Sequence, residues 1–301
     1  MRVETATEPG SAVSAAVTSA DSVGGRRRLQ RLNEDFAAVA LPASGQGGAL
    51  VLLDGVTPNR DGTGCIHGVP WYVARLGGTL LELSASRRDV TLADCLAESI
   101  ARTAGSHVGT CDLSHTHTPQ STVVLARWDE ETVEHLVLSD SVLLIENGGR
   151  EVRAVLDDRL DRMPEPVRAM RAAVRAKELG SVERELAGAE YGRMVEALRN
   201  AEGVEGAFFT AAADSGVAQR AVTGVTPREA VQAIAALTDG ASRLVEVFHQ
   251  GDWAHTFTLL REEGPQGLIA RIRATESADP RCTTYPRGKC HDDATAILVV
   301  W

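Results

Sequence analysis

Phe36-Ala37-Ala38-Val39-Ala40-Leu41 is followed, after a segment holding Pro42, Ser44, Gly45, Gly47 and Gly48, by Ala49-Leu50-Val51-Leu52-Leu53-Asp54-Gly55. Two short apolar runs parted by such breakers read as an antiparallel hairpin. The second run ends on Asp-Gly, which alone is an ordinary turn signal. Here the pattern recurs. Thr238-Asp239-Gly240 follows Ile234-Ala235-Ala236-Leu237, and His291-Asp292-Asp293-Ala294-Thr295 precedes Ala296-Ile297-Leu298-Val299-Val300. Runs this apolar belong in a core, where an uncompensated carboxylate is costly. Acids from several strand ends that converge on a divalent cation avoid that cost. Hard cations such as Mg²⁺ and Mn²⁺ favour such oxygen ligands.

Outward from these motifs the elements come in groups. Residues 69–83 carry a helical pattern, and Thr91-Leu92-Ala93-Asp94 caps a second helix with Leu92, Leu96 and Ile100 on one face. Residues 121–128 and 133–138 form a second hairpin around Asp129-Glu130-Glu131, its far strand ending on Ser139-Asp140. Residues 164–200 predict two helices broken near Gly180-Ser181, and residues 207–212 and 219–223 a further strand pair. Residues 227–234 fit either a helix or the approach to a strand ending at Asp239. Residues 242–249, 253–262 and 265–276 predict helices, and 294–301 a last strand. Strands in hairpins with helices grouped between them favour an α+β fold over a doubly wound parallel sheet.

The 301 residues, 44% of them hydrophobic, suffice for a substantial core, and we expect one large domain over residues 26–301. Residues 1–25, rich in Ala, Ser, Thr, Val and Gly without a continuous apolar segment, read as a disordered leader rather than a secretory signal. A net charge of −10 argues against a nucleic-acid partner. The dense basic cluster, Arg26-Arg27-Arg28 with Arg31, sits at the edge of the leader. No apolar stretch approaches the ~20 residues of a membrane helix. The five cysteines, Cys65, Cys95, Cys111, Cys282 and Cys290, include no Cys-x-x-Cys pair. This argues against a disulfide framework and a structural zinc site, and for the reducing cytoplasm.

The ordered series Asn33-Glu34-Asp35-Phe36, Leu53-Asp54-Gly55, Gln120-Ser121-Thr122, Leu138-Ser139-Asp140-Ser141, Thr238-Asp239-Gly240 and Asp292-Asp293-Ala294-Thr295 resembles the successive motifs of the metal-dependent Ser/Thr protein phosphatases of type 2C, the PPM family. The resemblance runs from about Arg31 to Trp301 and is closest to bacterial members. It implies a four-layer α/β/β/α sandwich, two stacked antiparallel sheets flanked by helices. It implies a hydrolase acting on phosphoserine and phosphothreonine in a phosphoprotein with two Mn²⁺ or Mg²⁺ ions. By resemblance Asp54 bridges the two metals and the Gly55 carbonyl binds one of them. Asp239 and Asp292 hold the other, and Glu34 and Asp35 act through metal-bound waters. Two metals sharing a water make hydroxide near neutral pH and clamp the attacking and leaving oxygens, so Asp54 and Asp239 carry the catalysis. Asp140 has two readings: ligand of a third metal, or a structural acid at a strand end.

Departures from the family pattern keep alternatives open. The usual phosphate-binding Arg, five residues before Asp35, is replaced by Gln30, so Arg31 or Arg28 would have to serve, guanidinium suiting phosphate. A solvated basic run is the other reading. Val56 stands where many eukaryotic members have a His, Ser139 where the family often has Gly, and Asp293 where many have Asn. The alternatives are a catalytically weak or inactive module that binds rather than turns over, and a small-molecule phosphomonoesterase on the same fold. His115-Thr116-His117 could present two imidazoles to zinc, but with no third ligand in evidence a loop is favoured. The oligomeric state is not legible.

Overall fold

Gly48–Leu53 (β3) and Val123–Trp128 (β4) are buried along their whole length, which is why neither sequence alternates polar with apolar. Both lie inside a five-stranded sheet ordered β2-β3-β4-β5-β8, with Phe36–Ala40 as β2, Thr132–Leu138 as β5 and Val222–Pro227 as β8. Every pairing is antiparallel. A second five-stranded antiparallel sheet runs β1-β10-β9-β6-β7, from Arg2–Glu8 (β1), Ala294–Val300 (β10), Val231–Leu237 (β9), Val142–Asn147 (β6) and Val152–Val155 (β7). The structure, a computed structural model, describes residues 1–10, 32–44, 46–58, 62–107 and 109–301.

The period of two in a strand sends alternate residues to opposite faces, and both faces are covered here. Leu50, Leu52, Val124, Ala126 and Trp128 of one sheet meet Leu143, Ile145, Ile234, Ala236, Ile297 and Val299 of the other. On its outer face the first sheet turns Val51, Leu53, Leu125 and Leu136 onto Val69–Ser86 (α1) and Leu92–Gly105 (α2), through Leu76, Leu80, Leu96 and Ile100. The second sheet covers its outer face with Asp239–Glu246 (α5) and Trp253–Ala278 (α6), which bring Leu244, Phe257, Leu260 and Ile272 against Val142, Leu144 and Leu298. The α/β/β/α sandwich expected from the motifs is the observed fold. Glu165–Arg175 (α3) and Val182–Glu196 (α4) stand outside these layers on a small cluster of Met163, Val167, Val195, Leu198 and Phe208.

Local signals held where short-range chemistry sets them. Thr91 caps α2 in a reciprocal box with Asp94. The break at Gly180-Ser181 is real, with Ser181 capping α4. Gly264, at φ 73°, and Pro265 divide α6 as the separate helical patterns imply. Elsewhere long-range pairing overrode the local reading. Residues 2–8, expected in a disordered leader, form β1 by pairing with β10 along its length, Arg2 opposite Val300 through Glu8 opposite Ala294. Residues 11–31 of that leader and domain edge, including Gln30 and Arg31, lie outside the described residues.

The strand pair expected at 207–212 and 219–223 does not form. Ala211 makes only an isolated bridge to Ser121, while β8 pairs with β5. Residues 231–237 settle as a strand because β6 and β10 flank them on both sides. Cys282 and Cys290 are joined in a disulfide, against the expectation from cysteine spacing. Among the described residues no helix is long and apolar enough to cross a membrane.

Candidate active site

Register gathers the acidic motifs. Phe36 opposes Leu53, so Asp35 and Asp54 leave the β2–β3 pair at the same end. Val123 opposes Leu138 in the β4–β5 pair, bringing Thr122 and Ser139-Asp140 to that edge. In the other sheet Leu237 lies between Val142 and Ala296, which delivers Ser141, Thr238-Asp239 and Thr295 to the same edge. Hydrogen bonds bind the sheets there: Thr122 Oγ1 and Ser141 Oγ are 2.6 Å apart, and the Asp239 N–H donates to Asp54 Oδ2 at 3.3 Å.

A cleft of about 330 Å³ opens at this edge, and Asp54, Gly55, Asp140 and Asp239 line it. Asp54 is central. Its carboxyl is pushed well above the usual carboxylate range by burial, then by the charges of Asp239, Asp35, Asp292 and Asp140. The same causes, burial first and then Asp292, raise Asp239 to about 6, with Arg243 opposing them. Asp35 rises to about 8, through burial against the stabilising hydroxyl of Thr295. Its Oδ2 accepts from Thr295 at 2.6 Å and Thr238 at 3.1 Å, while its buried Oδ1 has no partner among the described residues. Crowded carboxylates with unspent lone pairs and raised pKa values are the donor set a hard divalent cation satisfies.

Asp292 is held differently. Its Oδ1 accepts from Lys289 Nζ at 2.7 Å and its Oδ2 from Arg243 Nη2 at 3.1 Å, with Arg243 anchored on buried Glu276 at 2.6 Å. Burial disfavours the Lys289 charge, but Asp292 and Asp239 outweigh it and hold the ammonium above its usual value. Lys289 also donates to Thr57 Oγ1 at 3.1 Å, and Thr57 in turn donates to Glu34 Oε2. Glu34 is thus turned toward the loop after Gly55, and its carbonyl accepts the Gly55 N–H. Asp293 takes a framework role, accepting N–H groups from Gly10 at 2.6 Å and Glu34 at 2.9 Å.

Two motif glycines are explained by close approach. A Cβ on Gly55 would lie 2.4 Å from the Glu34 carbonyl, and one on Gly240 would lie 1.9 Å from the Asp293 carbonyl. Ser139 tells the converse story. It adopts φ 69°, in the left-handed region, with its N–H on Asp157 Oδ2 at 2.8 Å, so a Gly here would relieve strain. Ser139→Gly is expected to raise stability by about 1 kcal/mol in denaturant unfolding. A loss of stability of that size would mean that the serine is not strained.

Sequence reasoning missed the cations and the overhang. Tyr191, Val195 and Arg199 from the end of α4 and beyond, together with Phe208, form one wall of the cleft. Arg199 packs against the Phe208 ring at 5.5 Å, and its buried Nε has no partner among the described residues. Lys289 had a signal, its place three residues before Asp292; Arg199 had none, because only the fold carries α4 over the carboxylates. Arg31, the expected phosphate ligand, lies outside the described residues. His117 Nε2 sits 2.8 Å from Glu196 Oε1, a contact to α4 rather than part of a metal site.

No family model and no curated protein matches the sequence. Solved structures do. Serine/threonine phosphatase Stp1 from Staphylococcus aureus aligns over 100% of this chain and 94% of its own, with TM-score 0.55 and 14% identity. Serine-threonine phosphatase 2C from Toxoplasma gondii aligns over 99% and 94%, with TM-score 0.55 and 12% identity. PppA, a regulatory component of T6SS in Pseudomonas aeruginosa, aligns over 99% and 96%, with TM-score 0.51 and 14% identity. The chain has the fold of the type 2C serine/threonine phosphatases, as the ordered motifs implied.

Proposed function

We propose that this protein is a metal-dependent phosphatase of phosphoserine and phosphothreonine in proteins. The observation that carries this is the convergence of Asp54, Asp140 and Asp239, from separate strand ends, on one cleft, with Asp35 and Asp292 near enough for their charges to act on Asp54. Asp54, the Gly55 carbonyl, Asp239 and Asp292 would hold two Mn²⁺ or Mg²⁺ ions. Glu34 and Asp35 would lie one water further out, and Asp140 would serve a third ion. When bound, such ions acidify water and neutralise phosphoryl charge. The chain's own residues do the rest. Thr238 and Thr295 orient Asp35, Arg243 fixes Asp292, and the wall from α4 screens one side of the cleft.

Arg199 is our choice for the substrate phosphate, since its guanidinium borders the cleft with an unused N–H and suits a phosphate geometrically. Arg199→Ala is expected to lower kcat/KM on a phosphopeptide by about 10- to 100-fold, the worth of a charged hydrogen bond of roughly 1.5–3 kcal/mol. Unchanged kinetics would remove Arg199 from recognition. The parent proposal is tested on p-nitrophenyl phosphate and phosphopeptides: turnover with Mn²⁺ and its arrest by a chelator are expected, and inactivity on both substrates with Mn²⁺ would refute it.

A second reading is favoured by Asp292, whose two oxygens already meet Lys289 and Arg243. A cleft partly neutralised by its own cations suits a weakly active or inactive binding module. Calorimetric Mn²⁺ titration separates the two: binding without turnover favours the module. A cytoplasmic location is part of the proposal, supported by free thiols at Cys65, Cys95 and Cys111, although the Cys282–Cys290 disulfide is of a kind rare in that compartment.

A further inference from the structure

Away from the carboxylate cleft, where the chain runs from Thr57 toward α1, Cys65 and His67 meet His107 and Cys111 from the C-terminal end of α2. One ligand atom from each of the four residues falls within 4.8 Å of all the others. The two sulfurs are 3.6 Å apart, and His67 Nδ1 lies 3.6 Å from Cys65 Sγ and 3.4 Å from Cys111 Sγ. Tetrahedral zinc with bonds of about 2.3 Å to sulfur and about 2.0–2.1 Å to nitrogen requires roughly 3.8 Å between sulfurs and roughly 3.5 Å from sulfur to nitrogen. The two sulfurs and His67 Nδ1 therefore already stand at the separations of such a tetrahedron, with His107 within 4.8 Å of them.

His107 supplies an independent argument. It is buried, its Nδ1 is 2.9 Å from the Thr103 carbonyl, and its Nε2 has no hydrogen-bond partner among the described residues. A ring that donates from Nδ1 to a carbonyl presents a bare lone pair at Nε2, the arrangement that orients a metal-ligating histidine. The His67 N–H is 3.3 Å from Cys65 Sγ, a contact that stabilises thiolate. Trp71 shields the group, stacked on His67 at 4.1 Å and edge-on to His107 at 4.8 Å. A disulfide accounts for less. It would leave both imidazoles unused, and the sulfurs stand well beyond the ~2.05 Å of a bond.

We infer that Cys65, His67, His107 and Cys111 form a structural site for a late first-row divalent cation, Zn²⁺ by its Cys₂His₂ donor set, which pins the segment after the Asp54–Gly55 motif to the end of α2. The spacing is Cys-x-His with His-x₃-Cys and contains no Cys-x-x-Cys pair, so cysteine spacing along the chain does not exclude the site. Binding forms two metal–sulfur and two metal–nitrogen bonds and releases the thiol protons to solvent; nothing is oxidised.

The test uses the full chain, reduced, stripped with a chelator and titrated with Co²⁺. One equivalent is expected to develop thiolate-to-cobalt charge-transfer absorption with the intense visible bands of tetrahedral cobalt, both abolished by Zn²⁺. Cobalt in the carboxylate cleft cannot give the charge-transfer signal, having no sulfur ligand. Cys65→Ser with Cys111→Ser is expected to lose it. Because that variant could fail to fold, alkylation of the parent protein is mapped by mass spectrometry: Zn²⁺ is expected to slow modification of Cys65 and Cys111 at least tenfold and leave Cys95 unchanged. Absence of charge-transfer bands, or equal alkylation with and without Zn²⁺, overturns the site.

Discussion

Asp54→Ala is expected to lose phosphatase activity by more than about 100-fold, and excess Mn²⁺ is expected to restore almost none of it. The bound follows from metal sites generally, where loss of a group that only supports a ligand already costs about 10- to 100-fold. Asp54 is the carboxylate on which Asp239, Asp35, Asp292 and Asp140 all bear, and it accepts the Asp239 N–H. A residue so placed is within reach of the charge of every other acid in the cluster, as the proposed bridging role requires. Asp292 lies to one side, with Lys289 and Arg243 as neighbours. Asp292→Ala should therefore weaken chiefly one ion and recover part of its activity in high Mn²⁺. Activity at graded Mn²⁺ decides: rescue of Asp54→Ala as good as that of Asp292→Ala would sink the bridging assignment while leaving the phosphatase proposal standing.

Asp239→Asn is expected to abolish turnover and, without metal, to stabilise the fold. The side chain keeps its volume and loses a charge that burial and Asp292 oppose, as its shift from 3.8 to about 6 records. A carboxyl whose pKa is higher folded than unfolded binds its proton more tightly in the native state. Its contribution to stability is complete below pH 4 and is lost as pH rises through about 6. At pH 8 the metal-free variant should exceed the parent by roughly 1–3 kcal/mol, a gap that narrows toward pH 4. Chelator-treated thermal unfolding across that range checks the sign. A variant that turns over substrate at the parent rate in saturating Mn²⁺ would remove Asp239 from the site.

The fold was legible wherever a strand carried its own punctuation. Leu53-Asp54-Gly55, Thr238-Asp239-Gly240 and Asp292-Asp293 each mark a point where an apolar run stops at the cleft, and motif order alone led to the sandwich. What was not legible depended on partners far along the chain. β1 has no strong apolar alternation and exists because β10 offers it a ladder. The sequence pattern predicts no strand over residues 142–147, and it pairs residues 219–223 with 207–212 because β5, the actual partner of β8, lies some ninety residues earlier. In the candidate site the acids could be named from sequence, since their chemistry is written in their motifs. Arg199 and Arg243 could not, since neither belongs to a motif until the chain beyond α4, and α5, are set against the carboxylates. The Cys/His group is not legible in cysteine spacing, because it is assembled from two segments some forty residues apart.

The first strand joins the outer edge of one sheet to the cleft in a way that bears on handling the protein. β1 covers the free ladder of β10, and two residues beyond it the Gly10 N–H reaches Asp293, next to Asp292. A chain shortened by its first ten residues would bare β10, a strand apolar except for Thr295, along its hydrogen-bonding edge, the kind of template on which a second molecule adds itself. It would also strip a donor from the segment that carries Asp292. Self-association and a loosened Asp292 segment would then arise together from a cut at the start of the chain, and an affinity handle is better joined to the other end of the molecule.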